Sequence, residues 1–169
     1  STFRLWDNIA ESFPEYEVVN AGMGGSCFDD LYRYREQLIS ATEPDILVIY
    51  EGDNDIVHEE EDAGQREVFN ILSDARQLLK WIQQTHPELP VFLLSPKPSP
   101  ARWEHLAKYK AVNGQLEELT DLYNYHFMYC WPWLTDNNGQ VDPALFIFDK
   151  LHLNKQGNNL LGQIGRAHV

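Results

Sequence analysis

Three short apolar runs, "PDILVIY" (Pro44 to Tyr50), "VFLLS" (Val91 to Ser95) and "YHFMYC" (Tyr125 to Cys130), alternate with longer segments of helical spacing, and this alternation limits the possible folds more than any other feature. An earlier run, "EVVN" (Glu17 to Asn20), is β-branched and stops at a glycine cluster, so it reads as a further strand. Helical spacing passes through Leu31, Leu38 and Ile39. It returns through Val68, Phe69, Leu72, Ala75, Leu78, Leu79 and Ile82, where "HPELP" ends it. Leu106 to Tyr123 reads as another helix with Val112, Leu116, Leu119 and Tyr123 on one face, and Asn154 caps a last one. Strands joined through helices pair in parallel and are covered on both faces. The expectation is a three-layer α/β/α domain running over residues 1–169 as a single unit, long enough to bury about two thirds of its unfolded surface.

In parallel sheets of this kind the ligand sits at the carboxyl ends of the strands. The polar stretches "NAGMGGS", "EGDND" and "SPKPSP" each follow a strand, which places them at one edge. The balance of 13 basic against 26 acidic residues gives a net charge of −13, which repels phosphate backbones and anionic lipid. Nucleic acid is therefore not an expected partner. The longest clean apolar run, Ile46 to Tyr50, is far short of the ~20 residues a bilayer span needs, so a cytoplasmic protein, or a secreted one whose leader was removed upstream, is expected. Cys27 and Cys130 are far apart and read as two separate thiols, with no disulfide framework.

"FDKLHLN" sets Asp149 three residues before His152. In a turn leading into a helix, that spacing lets a carboxylate hold one imidazole nitrogen and leave the other as a general base; a solvated pair is the alternative. In "GDND", Asn54 can present its amide over the sheet edge, although Gly, Asp and Asn also suit a plain turn. "GMGGS" offers backbone N–H groups for an oxyanion or a phosphate, but it lacks the spacing and the lysine of a nucleotide loop. "HEEEDAG" (His58 to Gly64) groups a histidine with carboxylates without the pattern of a calcium loop or a zinc site, so a solvated acidic loop is expected and no metal. Trp103, Trp131 and Trp133 are candidates to line an acyl site or to fill the core, and Arg4 to hold a loop or pair with a carboxylate.

Taken in order and spacing, "VVNAGMGGS", "VIYEGDNDI" and "FDKLHLNKQG" resemble the second, third and fifth sequence blocks of the SGNH hydrolases, the GDSL esterases and lipases. The resemblance covers essentially the whole chain. It implies a flavodoxin-like sheet of order 2-1-3-4-5, whose first strand this chain does not contain. It also implies acyl transfer without a cofactor. Asp149 and His152 match the family's acid and base, while the Gly25 N–H and the Asn54 side chain match its oxyanion donors. The first block departs from the pattern, since its strand and the Gly-Asp or Gly-Ser ahead of the serine are missing. In the most similar subgroup a small residue, an apolar residue and Arg-Leu-Trp follow the nucleophile, a register that "STFRLW" fits and that makes Ser1 the candidate nucleophile. Two alternatives stay open: Ser1 as merely the first residue present, and Ser1 as a nucleophile using its own α-amine.

Omitting a central strand leaves buried N–H and C=O groups unpaired at about 1 to 3 kcal/mol each, so roughly ten further residues are expected upstream of Ser1. The function implied is hydrolysis of a small acyl ester, with acetyl as the first candidate and a small-molecule ester as the partner. A lysophospholipase or thioesterase on the same scaffold, or a silent domain that binds an ester or glycan, are the alternatives. Nothing in these residues specifies an oligomeric state.

Overall fold

A computed structural model describes residues 1–60, 64, 65 and 67–168; the side chains of 59–66 lie outside the description. In chain order the elements are α1 (Ile9–Ser12), α2 (Phe28–Arg33), β1 (Leu47–Tyr50), α3 (Asp53–Val57), β2 (Glu59–Glu60), β3 (Gly64–Gln65), α4 (Val68–Thr85), β4 (Val91–Leu94), α5 (Leu106–Leu122), β5 (His126–Met128), α6 (Trp131–Leu134) and α7 (Lys155–His168). Helices surround a small parallel sheet, so the α/β class read from the alternation holds. The chain divides into two compact units: Ser1–Gly25 with Lys97–Glu104 and Met128–Val169, and Ser26–Pro96 with His105–Phe127.

The second unit carries the sheet, in the order β1-β4-β5, and its last segment ends at Phe127, within β5. This is the 3-4-5 portion of the order expected from the resemblance. Strand β4 is buried along its whole length, as its unbroken apolar sequence requires. Strand β1 departs from the expectation of burial on both faces: Ile49 is buried, but Val48, on the opposite face, is 38% exposed; among the described strands β1 lies at the edge of the sheet. Helix α4 buries Ile71, Leu72, Ala75, Leu78, Leu79 and Ile82. Phe69, expected on that face, is 80% exposed, and the buried stripe is headed instead by Ile71, four residues before Ala75 and seven before Leu78.

The segment read as one helix through Leu31 and Ile39 is two pieces, α2 and a π-helical turn at Glu36–Ser40. The "GDND" stretch, which also suited a plain turn, opens helix α3 instead. Gly52 turns the chain into it at φ +106, and Asp53 and Asp55 favour its first turn. Of the acidic group, Glu61 and Asp62 lie outside the described residues.

In the first unit α7 packs on α1 and α6. Glycines make the approach possible: a Cβ at Gly162 would stand 2.9 Å from Ser12 Cβ, and one at Gly165 would stand 2.6 Å from the Phe13 ring. Trp6, buried, tilts against Phe3 and Phe13 at centroid distances of 6.3 and 6.4 Å and fastens the start of the chain to this core. "EVVN" is not a strand, contrary to expectation. No described strand pairs with it, Val19 is 68% exposed, and Asn20 fixes the segment by donating to the Phe3 carbonyl at 2.7 Å. No described helix is long and apolar enough to cross a membrane. Neither cysteine is part of a disulfide.

Candidate active site

The segment holding Asp149 and His152 is a tight loop closed by an antiparallel bridge between Phe146 and Leu153. Ile147 N donates to the His152 carbonyl at 2.9 Å, and Lys150 turns the chain at φ +58. Asn154 anchors the loop from below. Its Oδ1 caps α7 through Gln156 N and Gly157 N at 3.0 and 3.1 Å, while its Nδ2 donates to the Ala144 carbonyl at 2.7 Å. The capping residue read from the sequence therefore also ties the start of α7 to the segment that precedes the loop.

Within this loop Asp149 Oδ1 accepts the backbone N–H groups of Leu151 and His152 at 2.9 and 3.0 Å, and Oδ2 faces His152 Nδ1 at 2.7 Å. Desolvation pushes the carboxyl up, but the His152 side chain and the two N–H donors outweigh it and hold Asp149 down at about 2. A carboxylate can only accept, so the proton at this contact sits on Nδ1. His152 Nε2 is thereby left as the acceptor, and Ser1 Oγ lies 2.9 Å from it.

Ser1 is placed by its neighbours. Its backbone nitrogen donates to the Met23 carbonyl at 2.5 Å, and its carbonyl accepts from Leu5 N at 3.0 Å. The glycine loop fits tightly against the same segment. A Cβ at Gly22 would meet Arg4 N at 2.6 Å, and one at Gly24 would lie 3.2 Å from Arg4 Nε. Arg4 thus covers the loop, as one of its two sequence readings had it. Gly25 follows at φ +74, with open space where a Cβ would stand. Ser1, Asp149 and His152 come together in one unit, from opposite ends of the chain, and Gly25 belongs to the same unit.

Asn54 belongs to the second unit, in the first turn of α3, and its Nδ2 donates to the Ser26 carbonyl at 2.9 Å. The other polar residues of "EGDND" each have a partner there. Asp53 accepts from the hydroxyls of Tyr50, at 2.8 Å, and Tyr109. Both oxygens of Asp55, fully buried, accept Phe28 N at 3.2 Å. Ser26 Oγ donates to Glu51 Oε2 at 2.7 Å. Burial pushes the Glu51 carboxyl up to about 8; the Ser26 hydroxyl offsets part of the rise and Asp55 adds to it. Sequence reading treated "EGDND" as a carrier for Asn54 and missed the bond between Ser26 and Glu51. The available signal was a glutamate directly after an apolar strand, a place where an unpartnered carboxyl is costly.

Of the three tryptophans, Trp131 is buried, Trp103 half-buried and Trp133 43% exposed. Trp131 stacks on Tyr129 at a centroid distance of 6.1 Å, a core role. Among the described residues no group of three or more His, Cys, Asp or Glu side chains is placed to hold a metal ion.

Solved structures share this fold at low identity. A GDSL-like lipase from Bacteroides thetaiotaomicron superposes with a TM-score of 0.81 at 15% identity, covering 98% of this chain and 82% of that one. An acetylxylan esterase from Geobacillus stearothermophilus, solved as a catalytic mutant, gives 0.77 at 16% identity, covering 99% and 80%. An acetyl xylan esterase gives 0.75 at 20% identity, covering 99% and 90%. No curated protein matches the chain. The pattern of the GDSL-like lipase/acylhydrolase family matches residues 2–160, from the residue after Ser1 through Gly25, Asn54, Asp149 and His152, and the chain belongs to that family.

Proposed function

We propose that the protein is a serine esterase that removes a small acyl group from an alcohol or sugar. Ser1 Oγ attacks the ester carbonyl carbon while its proton passes to His152 Nε2, and Asp149 steadies the imidazolium that forms. The tetrahedral intermediate collapses, the C–O bond to the alcohol breaks, and His152 returns the proton to the leaving oxygen. Water, deprotonated by the same histidine, then cleaves the acyl-serine and releases the acid. In this reading the Gly25 N–H and the Asn54 amide stabilise the oxyanion, a role that rests on the family resemblance. No cofactor enters the scheme.

The observation that carries the reading is the contact of 2.9 Å between Ser1 Oγ and His152 Nε2, with Asp149 at 2.7 Å on the other imidazole nitrogen. The acetyl preference draws support from the two acetylxylan esterases among the structures of similar fold. A specific observation favours the second reading, a lysophospholipase or thioesterase. Ile147 and Phe148, which lead into Asp149, are 36% and 94% exposed, an apolar surface beside the loop that holds His152.

Hydrolysis of p-nitrophenyl acetate, butyrate and octanoate by the wild type and by His152→Ala tests both. Rates that fall with chain length and vanish in the variant support the small-acyl esterase. Rates that rise with length move the assignment to the second reading. Equal rates in wild type and variant reduce the protein to a binding domain.

A further inference from the structure

The reading of Asn54 as an oxyanion donor leaves open what aims its amide. Asparagine has two side-chain torsions, and a donor contributes to catalysis only when it is aimed before charge develops. Within the second unit Asn54 Nδ2 is tied at 2.9 Å to the carbonyl of Ser26. Ser26 is 6% exposed and is held at two of its atoms, with the chain fixed again just beyond it. Its hydroxyl donates to Glu51 Oε2 at 2.7 Å, its carbonyl takes the Asn54 bond, and two residues on, Phe28 N is gripped by both oxygens of Asp55. Glu51 is 4% exposed and directly follows β1, so its backbone is attached to the sheet and not to the loop it holds.

We infer that Glu51 and Ser26 are positioning residues for the proposed reaction: the buried carboxyl fixes the Ser26 hydroxyl, the fixed Ser26 presents its carbonyl, and that carbonyl sets the direction of the Asn54 amide. This rests on the oxyanion reading of Asn54. It assigns a purpose to a carboxyl that proton transfer by Ser1, His152 and Asp149 does not use. The carboxyl works here as a hydrogen-bond acceptor, so a neutral amide of the same shape can replace it. An alanine cannot.

The test is a set of variants measured for kcat and KM on p-nitrophenyl acetate: Asn54→Ala, Ser26→Ala, Glu51→Ala, Glu51→Gln and the double variant Ser26→Ala with Asn54→Ala. Asn54→Ala is expected to lower kcat by about 10²- to 10³-fold with KM little changed, the size of a lost oxyanion donor. Ser26→Ala and Glu51→Ala are each expected to lower kcat by about tenfold, the order of one lost hydrogen bond, and Glu51→Gln to restore it to within about threefold. In the Asn54→Ala background, Ser26→Ala is expected to cause no further loss, because the group it aims is gone.

A full multiplicative loss in the double variant, or an unchanged kcat in Ser26→Ala, overturns the positioning role while leaving Asn54 a donor. An unchanged kcat in Asn54→Ala overturns the oxyanion reading itself and the positioning role with it. Should Glu51→Ala fail to fold, Ser26→Ala and the double variant decide the matter alone.

Discussion

Asp149→Asn separates charge from shape at the candidate triad. In the native loop Oδ1 takes the N–H groups of Leu151 and His152 at 2.9 and 3.0 Å, and the asparagine oxygen can keep both bonds. Its NH2 then replaces Oδ2 at the 2.7 Å contact with His152 Nδ1. An amide nitrogen only donates, so Nδ1 must become the acceptor and the ring proton moves to Nε2. There it points at Ser1 Oγ, 2.9 Å away, and His152 can no longer take the serine proton. The wrong tautomer, together with loss of the charge opposite the imidazolium, is expected to lower kcat by about 10³- to 10⁴-fold, or about 4 to 5.5 kcal/mol of barrier, as the same change does in serine-protease triads. Folding should change by no more than about 1 kcal/mol, since the bonds that shape the loop survive. Steady-state hydrolysis of p-nitrophenyl acetate, with a thermal melt as control, measures both. A variant folded like the wild type and within about tenfold of its kcat refutes the tautomer argument.

Other expectations follow from the same geometry. A Cβ at Gly157 would stand 2.6 Å from the Leu145 carbonyl and 2.8 Å from Leu153 Cδ2. Gly157→Ala should therefore destabilise by about 1 to 3 kcal/mol despite the ~1 kcal/mol helix-propensity gain of alanine, lowering Tm by several degrees; an unchanged or raised Tm contradicts the packing. Burial lifts Glu51 from 4.5 to about 8, so the folded state holds a proton that the unfolded chain has lost. Its contribution to stability is complete below about pH 4.5 and disappears as pH rises through about 8, on the order of 5 kcal/mol at most. Urea midpoints taken across that window should fall less in Glu51→Gln than in the wild type, and equal slopes speak against it. At Gly52 the φ of +106, with Pro96 Cγ 2.9 Å from a Cβ position, makes Gly52→Ala destabilising by about 1 to 3 kcal/mol in the same urea assay, against no change if the turn can relax.

How much of this was legible in the sequence depends on the range of the interaction. Strand β4 and helix α5 stand where apolar spacing put them, because burial on one stripe or on both faces is written locally, and α7 starts where its Asn154 cap put it. "EVVN" carries the same β-branched signal but pairs with no described strand, and pairing depends on residues distant in sequence that no local pattern reveals. Phe69 failed for a related reason: it sits at the first turn of α4, where the stripe can begin on either of two neighbouring rows. At the candidate site, the spacing of Asp149 and His152 within one turn made their contact legible. Which of its two roles Arg4 takes, and the hold of Glu51 on Ser26, depend on segments about twenty residues or more apart, a range that local spacing does not encode.

The central claim is that His152 makes Ser1 a nucleophile. The most direct measurement is reaction with a serine-directed fluorophosphonate, followed by intact mass and peptide mapping. The account predicts one adduct per chain, on Ser1, formed rapidly in the wild type and not in His152→Ala. No adduct, or an adduct on another serine with Ser1 unmodified, would contradict it.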